Sequence, residues 1–237
     1  MHIGNKPSEN TYYIKDSNKQ INTITEVTTE KDLGVHFDPK LNFQEHVNKK
    51  VLLANRNLGL IAKTFSYMSK EMFLTLYKSI VRPHLEYITP VWSPQFKKEQ
   101  KIIENVQRRA TRMVKGLCEK PYHERLKFLG IPSLEYRRQR ADMIQTYKIF
   151  QQIDKMNINA LFPGPPNTSR TRGNSLKIHK QHCRTNLRKH SFSQRVVGLW
   201  NNLPQSVVNA PSINSFKNQL NKNWVGGPEK FKPKCLE

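Results

Sequence analysis

Apolar and polar residues alternate in short runs over the first 40 positions of the chain. Residues 11–14, 21–27 and 33–37 are rich in β-branched and aromatic residues, and their period of two predicts three strands. Asp38 and Pro39 then predict a turn. Strands this short are marginally stable alone, so we expect another layer of structure to cover them.

The hydrophobic period becomes helical after Pro39. Seven apolar residues recur every three or four positions, which places them on one face of a helix that Asn42 would cap. They are Phe43, Val47, Val51, Ala54, Leu58, Ile61 and Phe65. A coiled-coil seam is the alternative, but a stripe of only about three heptads favours a face that packs within the molecule.

Four more helical segments follow, bounded by residues that cap or break helices. The predicted segments are 69–83, capped by Ser69 and kinked or ended at Pro83; 97–117, which Gly116 helps to end; 122–129, stopped by Gly130; and 133–153, capped by Ser133. Their apolar positions repeat at helical spacing, which predicts a bundle of packed helices.

Prolines and a glycine in residues 162–169 predict a linker, followed by a short strand at 176–179 and helices at 194–201 and 212–224. The fold class is therefore mainly α: a helical bundle with a small N-terminal β element and a loosely packed C-terminal α segment. The predicted divisions are a β segment at 1–40, a helical domain at 41–161, a linker at 162–175, a small basic C-terminal subdomain at 176–224 and a disordered tail at 225–237.

The composition is strongly basic. The 237 residues include 40 Lys and Arg against 18 Asp and Glu, a net charge of +22. This excess disfavours a freely circulating metabolic enzyme and indicates a polyanionic partner, for which nucleic acid is the first candidate. The mean hydropathy is −0.71, yet 11 Phe and 8 Tyr are too many for a disordered chain. Long, partly solvated helices fit both observations.

The positive charge is concentrated in two blocks. Residues 97–148 carry a net charge of +8 and residues 168–237 carry +11, whereas residues 1–40 carry −1. A solvated helix face would explain one basic helix. Two such helices together with the C-terminal block favour contact with nucleic acid.

Three clusters of basic residues are the candidate nucleic-acid-binding groups. Arginine forks match phosphate geometry, and several neutralised phosphates give a salt-dependent affinity. The first cluster is Lys97, Lys98, Lys101, Arg108, Arg109, Arg112 and Lys115; the second is Arg137, Arg138 and Arg140; the third, in the linker, is Arg170 and Arg172. We expect Arg108, Arg109, Arg112, Arg137 and Arg138 to contact the nucleic-acid backbone.

Other chemistries have weaker support. One group of possible zinc ligands is close in sequence: His179, His182, Cys183 and His190. No cysteine pair completes a zinc motif, however, and the intervening Lys and Arg residues would repel a cation. Asp32, His36 and Asp38 share a strand face by even spacing alone, so we expect them to be surface or turn residues.

The sequence gives no sign of export or membrane insertion. The cysteines Cys118, Cys183 and Cys235 are widely spaced and odd in number, so they predict no disulfide framework. The first residues lack the basic and apolar regions of a signal peptide, and no apolar run approaches the ~20 residues of a membrane helix. We expect a chain of the nucleus or cytoplasm that is not secreted.

Several segments together resemble one family. They are 31–35 (KDLGV), 41–46 (LNFQEH), 76–87 (LYKSIVRPHLEY), 91–94 (VWSP), 106–111 (VQRRAT), 129–138 (LGIPSLEYRR), 196–204 (VVGLWNNLP) and 210–217 (APSINSFK). The combination resembles the region that follows the polymerase palm in reverse transcriptases of LINE-type, non-LTR retrotransposons of the Jockey-like group. The likeness covers about residues 1–224.

The resemblance implies a fold and a partner. Residues 1–40 would correspond to the end of the palm, with a primer-grip-like β segment, and residues 41–161 to a thumb-like helical domain that grips an RNA or DNA template–primer. The partners implied are that template–primer and a palm domain outside this chain, with no membrane.

The resemblance also implies that the chemistry lies elsewhere. In the family, palm aspartates that include an Asp-Asp pair hold Mg²⁺, and this chain contains no Asp-Asp dipeptide. We therefore expect a non-catalytic C-terminal fragment that binds no cofactor and has no polymerase activity of its own. The alternative is an independent basic helical module for nucleic-acid binding or protein interaction.

Overall fold

The computed structural model describes residues 1–4, 10–164, 174–224, 230, 231, 233 and 235. Two antiparallel hairpins open the chain: β1 (Tyr13–Lys15) pairs with β2 (Ile21–Thr23), and β3 (Glu30–Asp32) pairs with β4 (Val35–Phe37). Leu33 and Gly34 form the second turn with φ of 45° and 81°, the conformation that tight hairpins require. The predicted strand at 33–37 is therefore wrong in its first two positions.

Asp38 organises the turn that leads into the helices. Its carboxylate accepts hydrogen bonds from the backbone N–H groups of Lys40, Asn42 and Phe43, at 3.0, 3.3 and 2.8 Å. The expected role of Asp38 in a turn is confirmed. Phe43, with a left-handed φ of 58°, occupies the cap position that the sequence predicts for Asn42.

The central part of the chain is helical. Its elements are α1 (Gln44–Thr64), α2 (Lys70–Leu76), a π-helical turn (Tyr77–Val81), α3 (Arg82–Glu86), α4 (Thr89–Trp92), α5 (Lys97–Thr111), α6 (Tyr122–Leu129) and α7 (Leu134–Phe150). The side-chain oxygens of Ser69 and Ser133 accept hydrogen bonds from the backbone N–H groups of Met72 and Tyr136, which confirms both predicted caps. Gly130 ends α6 with a left-handed φ of 68°.

The structure specifies how the helices behave at Pro83 and at the ends of α5 and α7, the last of which stops at Phe150, three residues before the predicted end. Of the two alternatives at Pro83, the structure shows an irregular helix rather than an end: the chain remains helical to Glu86, because the widened π turn before the proline relieves its clash with the preceding turn. Helix α5 ends at Thr111, six residues early. There the N–H groups of Arg112 and Met113 bond three residues back, and the N–H of Lys115 instead bonds Met68 O at 3.2 Å.

Short helices follow in the C-terminal part: α8 (Ile158–Leu161), α9 (Asn186–His190), α10 (Phe192–Asn201), α11 (Gln205–Val208) and α12 (Ile213–Asn223). Helices α10 and α12 confirm the two that the sequence predicts. Residues 176–179 form no strand. Instead, the Asn201 side chain bonds both the N–H and the C=O of Ile178, each at 2.9 Å, and so replaces a neighbouring strand.

Helix α7 joins two hydrophobic cores, because it has two buried faces. Its N-terminal end packs with α1–α6 around residues such as Leu58, Tyr77 and Trp92. Its C-terminal half, with Tyr147, packs with Trp200, Phe216 and their neighbours from α10 and α12. The mainly α fold is confirmed. The C-terminal segment, however, is more closely packed than the sequence predicts, since Trp200 and Phe216 are fully buried.

The described positions of the tail lie against the start of α7. The N–H of Ser133 donates to Lys230 O at 2.8 Å, and the N–H of buried Cys235 donates to Glu135 Oε2 at 3.3 Å. The remaining residues of the tail, for which the sequence predicts disorder, lie outside the described residues. Most of the predicted linker, including Arg170 and Arg172, lies outside the described residues.

Candidate nucleic-acid interface

Basic side chains project from one face of α5 and its C-cap. At 3.6 residues per turn their positions fall within an arc of about 120° and extend about 22 Å along the helix. They are Lys97, Lys98, Lys101, Arg108, Arg109 and Arg112, all exposed, and exposed Lys115 follows in the next turn. We call these seven residues the α5 strip. The structure therefore brings the first predicted cluster together on one solvent-facing surface.

The acidic residues of α5 point into the molecule instead. Glu99 is 5% exposed and Glu104 is completely buried. Their charges are therefore separated from the exposed face, although they alternate with the basic residues in sequence. This arrangement leaves the outer surface of α5 with a single sign of charge.

Glu104 attaches α5 to the start of α7. Its carboxylate accepts hydrogen bonds from the Tyr122 hydroxyl at 2.6 Å and from the backbone N–H groups of Leu134 and Glu135 at 3.1–3.2 Å. Burial raises the pKa of Glu104, while the hydrogen bond from Tyr122 opposes that shift. A carboxylate at a helix N-terminus satisfies backbone N–H groups that have no partner within the helix. These hydrogen bonds fix the position of α5, which carries the α5 strip, relative to α6 and α7.

No residue of the α5 strip forms an ion pair with another described residue. Arg109 donates one hydrogen bond, from Nη2 to Asn55 O at 3.4 Å, and the Lys115 ammonium lies 5.1 Å from the Tyr67 ring centroid. Because no carboxylate neutralises these side chains within the described structure, their charge is available to a polyanion.

A buried cation lies beside the strip. Arg125 of α6 is 1% exposed, and its Nη1 donates to Arg108 O at 3.1 Å. Burial and the charges of Arg112 and Arg108 lower the pKa of Arg125. The sequence alone does not single out Arg125, because its closeness to α5 depends on how α6 folds back. Its charge adds to the positive potential around the C-terminal end of α5.

The second predicted cluster is used within the fold. Arg137 forms a two-point ion pair with Glu86, and its Nη2 lies 2.7 Å from Glu86 Oε2. Arg138 is 4% exposed, and Arg140 is half-buried with Nε 2.9 Å from Asn221 Oδ1. The expectation that Arg138 faces a nucleic-acid backbone is therefore wrong for this structure, because packing of α7 on both sides covers it. Arg137 is held by Glu86 with 29% of its side chain exposed, which does not favour the contact expected for it.

Other candidate chemistry is not assembled in the described residues. Among them, no group of three or more His, Cys, Asp and Glu side chains has a geometry that could hold a metal ion. Cys183 Sγ lies 3.6 Å from Gln181 O and 3.7 Å from Gln194 Oε1, so its neighbours are amide oxygens. In the part of the chain that the structure describes, no helix is both long and apolar enough to cross a bilayer.

Comparison with known proteins gives one partial likeness. The chain is similar to Uncharacterized protein B0403.1 of Caenorhabditis elegans, with 27% identity over 110 residues, or 45% of this chain. The match spans 56% of that protein, about half of its length. No protein-family model and no solved structure matches the chain. The assignment of a function therefore depends on the geometry of the basic surface.

Proposed function

We propose that the chain binds the sugar–phosphate backbone of an RNA or DNA template–primer through the α5 strip. The observation that carries this proposal is the set of seven exposed basic residues, none with an ion-pair partner among the described residues. A rigid helix face with such groups suits phosphate contacts, which position a duplex without distinguishing its sequence. The length of about 22 Å corresponds to roughly six phosphates of one strand.

The resemblance to the region after the palm of non-LTR reverse transcriptases supports a double-stranded ligand. In that family a thumb-like helical domain would hold the template–primer duplex while a palm outside this chain performs the chemistry. The proposal assigns binding and positioning to these residues and no catalytic step. Helix α5 suits such a role because Glu104 and its partners fix it to α6 and α7.

A charge-reversal experiment tests the proposal. Arg108, Arg109 and Arg112 are changed together to Glu, and binding to a fluorescent RNA–DNA duplex is measured by anisotropy. The matched control reverses the exposed lysines of the nearly neutral N-terminal part, Lys15, Lys31 and Lys40, so that the net charge changes equally. We expect a loss of tenfold or more, about 1.4 kcal/mol or greater, only in the strip variant. Equal affinities of the two variants would contradict the proposal.

A protein-interaction module is the second candidate. Helix α1 exposes Leu52 and Leu60, at 69% and 57%, on the same side as the basic residues Lys49, Arg56 and Lys63. Apolar side chains that share one exposed face and are bordered by polar residues mark sites that bind another protein when they form a contiguous patch. Under this alternative, changing Leu52 and Leu60 to Ser would abolish a measured self-association or partner binding. Duplex binding would then be absent from the wild-type chain.

A further inference from the structure

Two exposed aromatic rings lie beside the C-terminal end of the α5 strip. Tyr67, in the loop between α1 and α2, is 56% exposed, and Phe128, in α6, is 51% exposed. Neither ring belongs to a hydrophobic core of the described structure. Large aromatic side chains that face solvent in this way are available to a ligand.

Each ring is accompanied by lysine ammonium groups. Lys115 Nζ lies 5.1 Å from the Tyr67 ring centroid. Lys70 Nζ and Lys120 Nζ lie 5.0 and 5.9 Å from the Phe128 ring centroid. A cation this close to a ring gains a modest cation–π attraction, and its flexible stem lets it turn towards a phosphate instead.

Contacts of Lys115 and Lys70 connect the two rings with the end of the strip. The backbone N–H of Lys115 donates to Met68 O at 3.2 Å, which joins the loop that carries Tyr67 to the end of α5. Tyr67 and Lys70 are three residues apart, so their Cα atoms are within about 10 Å. Lys70 in turn reaches Phe128. We name Tyr67, Lys70, Lys115, Lys120 and Phe128 the aromatic patch.

The chemistry of the aromatic patch differs from that of the rest of the strip. Paired bases in a duplex are stacked on one another and offer no free face, whereas unpaired bases stack readily on Tyr and Phe. Surfaces that combine stacking rings with cations for the intervening phosphates are typical of single-strand binding. In the segments that form the patch, positive charge exceeds negative charge: the exposed carboxylates are Glu71, Glu119 and Glu124, and the cations are Lys70, Arg112, Lys115, Lys120 and Lys127.

From this arrangement we infer that the aromatic patch binds the single-stranded extension of a nucleic acid whose duplex lies on the α5 strip, by stacking unpaired bases on Tyr67 and Phe128. The inference rests on the proposed function for the position of the duplex. The ligand class is thus narrowed from any duplex to a junction between duplex and single strand.

The experiment compares three probes: a blunt RNA–DNA hybrid, the same hybrid with a short single-stranded template extension, and the single strand alone. A fluorescent adenine analogue in the extension reports stacking through quenching. The variants are Tyr67→Ala and Phe128→Ala, with Tyr67→Phe and Phe128→Tyr to retain the rings. Tyr13→Ala, at a 62% exposed tyrosine in the first hairpin, is the matched control. Thermal melting checks that each variant folds.

We expect the wild-type chain to bind the extended hybrid more tightly than the blunt one and to quench the analogue. The affinity of each alanine variant for the extended hybrid should be about five- to a hundredfold lower than that of the wild type. The ring-retaining variants and Tyr13→Ala should bind this hybrid as tightly as the wild type does. Equal wild-type affinity for blunt and extended hybrids, or unchanged quenching in both alanine variants, would overturn the inference.

Failure of the proposed function would look different. A wild-type chain that does not bind the blunt hybrid at all would overturn the duplex proposal. Binding of the single strand alone would then still test the inference. Binding that is lost in Tyr67→Ala and Phe128→Ala would support it, and binding that both variants retain would contradict it.

Discussion

Arg137 and Glu86 form a two-point ion pair that joins α7 to α3, with Arg137 Nη2 2.7 Å from Glu86 Oε2 and Arg137 Nε donating to Oε1. Burial acts to lower the pKa of Arg137, but the hydrogen bond and charge of Glu86 outweigh it and raise that pKa. The pair is largely shielded, with side chains 29% and 20% exposed. Arg137 therefore serves the fold, whereas the arginines of α5 remain free to bind.

Replacing Glu86 by Gln should destabilise the chain by about 1–3 kcal/mol, because it leaves the Arg137 charge shielded from water and without its partner. Urea unfolding measures this change. The exposed pair of Glu45 and Lys49 supplies the control, since Glu45→Gln should cost less than about 1 kcal/mol. Equal costs for the two substitutions would contradict a structural role for Glu86.

The Arg195 side chain should be a major link between α10 and α7. It bonds Asp142 at 2.8 and 2.9 Å and also donates to Pro90 O at 2.7 Å. Replacing Arg195 by Gln should destabilise the chain by about 3 kcal/mol, because buried Asp142 loses the cation that is hydrogen-bonded to it. Thermal melting should show this loss, whereas Arg188→Gln, at an exposed arginine of α9, should melt as the wild type does. An unchanged midpoint for Arg195→Gln would be contrary evidence.

His46 should make stability depend on pH. Burial, together with the charges of Lys50 and His36, lowers the pKa of His46 to about 4. Its ring packs 4.9 Å from the Trp92 ring, and its Nδ1 accepts the His36 N–H at 3.2 Å. An unfolded histidine takes up a proton near pH 6.5, which the folded one resists. The stabilising contribution is therefore complete above about pH 6.5 and is lost as the pH falls towards 4.

Between about pH 6.5 and pH 4, the protonation of His46 should lower the free energy of unfolding by about 3 kcal/mol. Urea unfolding at neutral pH and near pH 4 should show a smaller decrease in His46→Gln than in the wild type. His182→Gln, at an exposed histidine, should retain the wild-type decrease. The same pH dependence in all three proteins would exclude His46 as the cause.

Local sequence signals predicted much of the fold. The caps at Ser69 and Ser133 and the stop at Gly130 act through hydrogen bonds and backbone angles within a few residues, so a pattern can reveal them. The exposed face of α5 was predictable for the same reason, since helical spacing separates its basic residues from its apolar ones.

Contacts between distant segments could not be predicted in this way. In the sequence, Arg137 and Arg138 resemble part of a basic surface. In the structure, other helices cover α7 on two sides, and Glu86, the ion-pair partner of Arg137, is 51 residues away in sequence. Buried Asp142 and Arg138 also weaken the apolar period of that helix. The aromatic patch is assembled from a loop, a turn and α6, so no single stretch of sequence displays it.

The salt dependence of duplex binding tests the central claim most directly. Arg108, Arg109 and Arg112 are changed together to Gln, and the association constant for an RNA–DNA hybrid is measured over a range of salt concentrations. Each phosphate that the variant no longer neutralises removes about 0.7–0.9 from the slope of log K against log salt, so the slope should flatten by about 2–3. Arg137→Gln should leave the slope unchanged. A triple variant with the wild-type slope and affinity would contradict binding by the α5 strip.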